Sequence, residues 1–216
     1  MLSTSQIPVE KPKLRGVLHQ YGFFVALVLN AFLLSQTETQ QEFYSILLYA
    51  VGLNALLGTS TLYHRIDWSP KWHFIMRRLD HTMIFVLIAS SYSPFGLIAF
   101  DSPKNTFVLY TLWGAVLVGF LLKIFWIHSP NWLSALSYVA AGWLVAIMTP
   151  SFIREAGLVC AILMLLGGVI YTIGACFYAL RRPDLKPGVF GYHELFHSFV
   201  LAGALCHYMA IYFLLQ

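Results

Sequence analysis

The sequence predicts an all-α membrane protein, a seven-transmembrane helix bundle with its N-terminus in the cytoplasm and its C-terminus outside. Three observations predict it. Of the 216 residues, 59% are hydrophobic and only 10% charged, against roughly 25% charged in an ordinary soluble domain; a globule this apolar would have no surface to offer water. The apolar residues gather into stretches close to the ~20 residues that cross a ~30 Å hydrocarbon core. The Lys and Arg residues fall almost entirely on one side of those stretches.

Taken in order, the spans are expected over residues 17–36, 43–64, 79–99, 105–127, 132–150, 157–180 and 193–215. The first follows a basic segment, KPKLR, and stops at TETQQE. The second runs to STLYHR, where RIDWSPKWHFIMRR makes the next polar break. The third opens on RLDH and carries SSYSP, a sequence that predicts a kink at Pro94 with the freed carbonyls satisfied locally. DSPKN and HSPN bracket the fourth, whose Lys123 is expected to snorkel to the interface without a functional role. The fifth lies between HSPN and SFIRE, and the sixth ends at RRPDLKPGVFGY, from which the seventh emerges. These breaks leave no room for a soluble domain. The organisation is therefore a cytoplasmic segment, 1–16, and a transmembrane domain, 17–216. The opening MLSTSQIPVEKPKLR has no apolar core or small-residue cleavage site, so no signal peptide is expected. Cys160, Cys176 and Cys206 sit within apolar runs and read as small packing residues, not a disulfide framework or a C-x-x-C site.

With the N-terminus inside, Lys11, Lys13, Arg15, Arg65, Lys71, Arg77, Arg78, Lys123, Arg181, Arg182 and Lys186 face the cytoplasm, and only Lys104 and Arg154 face out. This asymmetry sets the orientation. It also aligns polar residues that are costly inside a membrane and so mark function by default. The second span descends to Ser60 and His64, four apart on one face. The third starts back from the cytoplasm with Asp80, and the seventh starts there with His193 and His197, again four apart. His64, Asp80, His193 and His197 thus reach one depth in the inner leaflet. Three imidazoles are the ligand set of a catalytic zinc site, which keeps a further position open for water. A carboxylate beside that water can accept its proton. The bland alternative is that each histidine caps a helix end at the headgroups.

His193–His197 is also a literal H-E-x-x-H, the zinc-protease signature, but five residues with three fixed positions are weak evidence alone. Composition excludes a soluble protease. An intramembrane metalloprotease would carry the motif in an early span with an Asp ligand after it, whereas here it opens the last. Glu194 lies about 100° around the helix from His193, flanking the site, and reads as an interfacial or supporting carboxylate. His207, ten residues beyond His197 and hence ~15 Å along the axis, cannot share that metal and is expected to bond a neighbouring helix.

STLYH at 60–64, RLDHTMIFVLIASSYSPF at 78–95 and HELFHSFVLAGALCHYMAIYF at 193–213 resemble the progestin and adipoQ receptor family, most closely its bacterial hemolysin III branch. The resemblance implies a zinc ion held by His64, His193 and His197. It also implies that Asp80 holds the water at that zinc and that Ser60 belongs to the same pattern. His19, in LRGVLHQYGF, matches a branch histidine, although the Glu that usually precedes it is missing; His81 and His207 fit the branch pattern without an assigned role. The expected function is a zinc-dependent intramembrane hydrolase of lipid amides or esters, ceramidase-like by resemblance, serving membrane lipid homeostasis in the cell membrane. Its partners would be membrane lipids and a lipid substrate or ligand within the bundle, with no nucleic acid. The alternatives are a non-catalytic lipid sensor with structural zinc, a cytolysin, and the intramembrane protease.

Overall fold

A computed structural model describes residues 11–99, 102–126, 129–144 and 149–216. Within them the chain forms eight α-helices: α1 Val17–Ser35, α2 Gln40–Arg65, α3 Pro70–Pro94, α4 Ser102–Phe125, α5 Asn131–Trp143, α6 Thr149–Glu155, α7 Leu158–Leu180 and α8 Tyr192–Leu214. The only strand-like feature among the described residues is a single bridge, Lys186 with Phe190.

Local chemistry accounts for the starts of α2 and α3. Thr39 caps α2 by accepting from the Glu42 N–H, while the Glu42 carboxylate accepts from the Thr39 N–H, a reciprocal pair that satisfies two orphan donors. Proline at the first position of α3 suits a turn whose N–H groups have no helical partner. Because of it α3 begins at Pro70, nine residues before the expected span, and most of the polar break RIDWSPKWHFIMRR is helix. The expected kink takes the form of a π-helical turn, Phe95–Ala99, directly after Pro94. On the preceding turns the Ser90 and Ser93 hydroxyls donate to the carbonyls of Leu87 and Ala89.

Packing follows the membrane pattern. α8 lies on α7, α2 lies between α1 and α3, and α5 rests on α7. Small residues let backbones approach: a Cβ on Gly52 of α2 would stand 2.1 Å from the Ser90 hydroxyl of α3. The core runs through Leu33, Tyr49, Leu57, Phe95, Ala210 and Ile211. The outward faces are apolar as well, with Phe24 and Val28 of α1, Leu117 of α4 and Leu158 of α7 exposed. In water such a surface would drive aggregation; against lipid it is the expected coat.

Among the described residues, five helices are long and apolar enough to cross a membrane: α1, α2, α3 with its π-helical extension, α7 and α8. α4 contributes a shorter apolar part, Leu109–Phe125. The expected fifth span corresponds to α5 and part of α6, with residues 145–148 between them outside the described residues.

Lys123 departs from expectation. It does not snorkel to an interface but is buried, donating to Ser134 at 2.6 Å and to Ser129 at 3.1 Å, with its ammonium 5.6 Å from the Tyr138 ring centre. Ser129, just before α5, and Ser134 in its first turn supply the hydroxyls that water would otherwise provide. The three cysteines are free, and Cys160 is buried against the Ala210 carbonyl.

Candidate metal centre

Histidines from two helices meet at one end of the bundle. α2 delivers His64 from its last turn, and α8 delivers His193 and His197 from its first two. One ring nitrogen from each of the three lies within 4.8 Å of the others. The Nε2 atoms of His64 and His193 are 3.1 Å apart. Two imidazoles on one tetrahedral ion, each at about 2.0–2.1 Å, would place their nitrogens about 3.3–3.4 Å apart. The donor set and its spacing therefore fit a divalent metal with a preference for nitrogen, and three protein ligands leave a position open.

Asp80 stands outside this triplet and lines the same small cavity as Ser60, His193 and His197, about 30 Å³ in volume, enough for a water. His19 of α1 places Nδ1 2.9 Å from the Ser60 hydroxyl, and the Asp80 carboxylate stands 3.5 Å from His81 Nδ1. The His19 ring also stacks on His197, centroids 3.8 Å apart and planes 11° from parallel. His81 lines the same cavity; its Nδ1 donates to the Arg77 carbonyl at 2.8 Å, and its Nε2 accepts from the Tyr178 hydroxyl at 3.4 Å.

The structure thus brings together His64, His193, His197, Asp80 and Ser60, all singled out in the sequence. His19, whose role the sequence left open, joins them. Arg15, Gly16 and Tyr178 were not foreseen. Arg15 pairs with Glu194. Gly16 has φ +80°, and a Cβ there would stand 2.6 Å from the His64 Cβ; only glycine fits both the backbone and the space. Lys13 and Leu14 donate backbone N–H groups to the carbonyls of Gly188 and Val189, tying the N-terminal segment to the α7–α8 connection. A positive residue just before an apolar span was the available signal for Arg15, but a partner 179 positions away is set by tertiary packing.

Glu194 is fully buried: its carboxylate accepts from the Gly191 N–H at 2.8 Å and pairs with Arg15. The capping bond and the Arg15 charge offset the cost of removing it from water. It does not line the cavity, so the H-E-x-x-H match supplies two histidines and a helix cap.

A second cavity, about 100 Å³ and almost wholly apolar, extends along α8 past Phe196 and Val200 to His207. The two cavities share Leu56, Ile84, Tyr138, Phe196 and Val200 as walls.

Residues 8–208 match the family described as Haemolysin-III related. Hemolysin-3 of Bacillus cereus is 29% identical over 199 residues, 92% of this chain and 86% of that protein. The Hemolysin-3 homolog of Bacillus subtilis (strain 168) is 28% identical over 201 residues, 92% and 91% of the two chains. The human Monocyte to macrophage differentiation factor is 26% identical over 200 residues, 90% of this chain and 80% of that one. No solved structure matches significantly. With nearly its whole length matched and its polar residues gathered as described, the chain belongs to the haemolysin-III-related family of multi-pass membrane proteins.

Proposed function

We propose that this protein is a zinc-dependent intramembrane hydrolase of lipid amides or esters, ceramidase-like in reaction type and acting in membrane lipid homeostasis. One observation carries the reading: the small cavity holding Asp80 beside three convergent histidines shares its wall with an apolar cavity suited to an acyl chain. His64, His193 and His197 would hold the metal, which when bound supplies Lewis acidity toward a carbonyl and brings the pKa of water to about 7.

The chain's own groups supply the rest. Asp80 orients the attacking water and accepts its proton at a carboxylate oxygen. Ser60, held by His19, donates to that carboxylate and fixes its direction. The proton then passes to the departing amine or alcohol, and the fatty acid and its former partner separate. Walls such as Leu56, Ile84 and Val200 align the chain and keep bulk water out.

In this reading α4, and α5 with the residues that follow it, complete a seven-span bundle with the N-terminus in the cytoplasm, as the Lys and Arg distribution favours. The site then lies in the inner leaflet, near the headgroup linkage of a lipid. A second reading, a non-catalytic lipid sensor with structural metal, is favoured by one feature: the three imidazoles join α2 to α8 while the N-terminal segment is tied across the same end. The two readings separate on turnover. Zinc-loaded protein in nanodiscs should release fatty acid from a lipid amide, measured by mass spectrometry. Asp80→Asn should keep its zinc and lose 10²–10⁴ in rate, the range of a general base. Zinc-loaded wild-type protein without turnover on amide or ester lipids would leave the sensor.

A further inference from the structure

The apolar cavity is polar at its far end. His207 is buried in α8, and its Nε2 donates to the Met164 carbonyl of α7 at 3.3 Å. In the neutral ring that bond leaves Nδ1 as an acceptor, and Nδ1 has no hydrogen-bond partner within the chain. Ser91 of α3, 2% exposed, lines the same cavity with its hydroxyl likewise unpartnered. The Tyr171 hydroxyl of α7 is a third buried, unpartnered group, and its ring stands edge-on to His207 at 5.2 Å between centroids. α7 makes room for the imidazole with a glycine: a Cβ on Gly167 would lie 2.4 Å from His207 Cδ2. Nearly all buried polar groups in proteins are hydrogen-bonded, so several orphans around one cavity ask for a ligand.

We infer that His207, Ser91 and Tyr171 form a polar subsite that binds a hydroxyl carried partway along, or at the end of, an acyl chain lying in the cavity. This rests on the reading of the cavity as a lipid-chain site but not on hydrolysis. The chemistry selects a hydroxyl. His207 Nδ1 accepts a proton, while the Ser91 and Tyr171 hydroxyls can donate one, and an alcohol oxygen meets both needs at once. A ketone could not donate to Nδ1, and a carboxylate would bring a charge into walls that are otherwise apolar. Position is selected as well. The subsite is ten residues along α8 from His197, ~15 Å by helical rise, so the hydroxyl must lie a corresponding distance from the linkage held near Asp80.

The test is equilibrium displacement of a fluorescent fatty acid from the purified full-length chain in detergent micelles, by stearate and by positional isomers of hydroxystearate. One isomer, or a few adjacent ones, should bind about tenfold more tightly than stearate, the factor expected of one to two net hydrogen bonds. Ser91→Ala and Tyr171→Phe should each lower that ratio, and the double variant should bring it close to one. His64→Ala should leave the ratio in place. Isomers that all bind like stearate would overturn the inference and leave the orphan groups to buried water. A ratio lost in His64→Ala but kept in the double variant would also overturn it, placing the hydroxyl at the histidine triplet. No binding of any acyl chain would overturn both this inference and the lipid reading beneath it. A preserved ratio without hydrolysis would overturn the hydrolase reading alone.

Discussion

Asp80 shares a small cavity with His193 and His197, and Glu194 directly follows His193 on α8, yet their surroundings assign them different work. Asp80 lines the small cavity together with Ser60, and His81 Nδ1 stands 3.5 Å from its carboxylate. Glu194 faces away, spent on the Gly191 N–H and the Arg15 guanidinium. We therefore expect Glu194→Gln to keep zinc and turnover within a few-fold of wild type while lowering stability. The amide can still cap α8, but Arg15 loses its counter-charge, and breaking a buried pair costs about 3–5 kcal/mol at the upper limit. The measurement pairs a thermal melt with the lipid-amide assay. A variant that melts like wild type but has lost turnover would return the base role to Glu194. The sequence made His64, His193, His197 and Asp80 legible, because intramembrane polar residues stand out and helical spacing gives their faces. It could not show that His19 bonds Ser60 or that Arg15 meets Glu194, since both depend on how α1 packs on α2 and α8.

The helices carry these residues through features of their ends. The N-terminal segment is held against the α7–α8 connection by the backbone bonds of Lys13 and Leu14, and it enters α1 through Gly16 in the left-handed region, against His64. Gly16→Ala adds the cost of a left-handed alanine, about 1–2 kcal/mol, and pushes a methyl into the His64 side chain. The expected result is at least a tenfold loss of zinc affinity in a chelator competition, with the helical content unchanged by circular dichroism. Unaltered affinity would show that the entry to α1 has no bearing on the triplet. The all-helical class was legible in the sequence, the helix count and helix starts less so: α6 falls on SFIRE, which reads as a polar break. In RIDWSPKWHFIMRR the charges read as a break, but Pro70 opens a helix whose first turn leaves Lys71 and Trp72 exposed. Lys123 was misread for a related reason: hydropathy does not reveal that Ser129 and, in α5, Ser134 accept hydrogen bonds from it.

At the scale of the whole molecule, composition and the apolar outer faces place the chain in a bilayer, while the sidedness rests on the positive charges. A reporter active only outside the cytoplasm, fused after Gln216, should be active; activity of a strictly cytoplasmic reporter at that position would reverse the orientation and move the site to the outer leaflet. Either way the bundle draws α2 and α8 together so that three imidazoles converge, and the proposed hydrolysis depends on that convergence holding a metal. The most direct test is zinc-edge X-ray absorption, with elemental analysis, on the purified protein in nanodiscs. The account predicts about one zinc per chain, three imidazole nitrogens in its coordination shell, and loss of the metal in His64→Ala and His197→Ala. Full zinc content in both variants, or a wild-type spectrum without imidazole scattering, would contradict it.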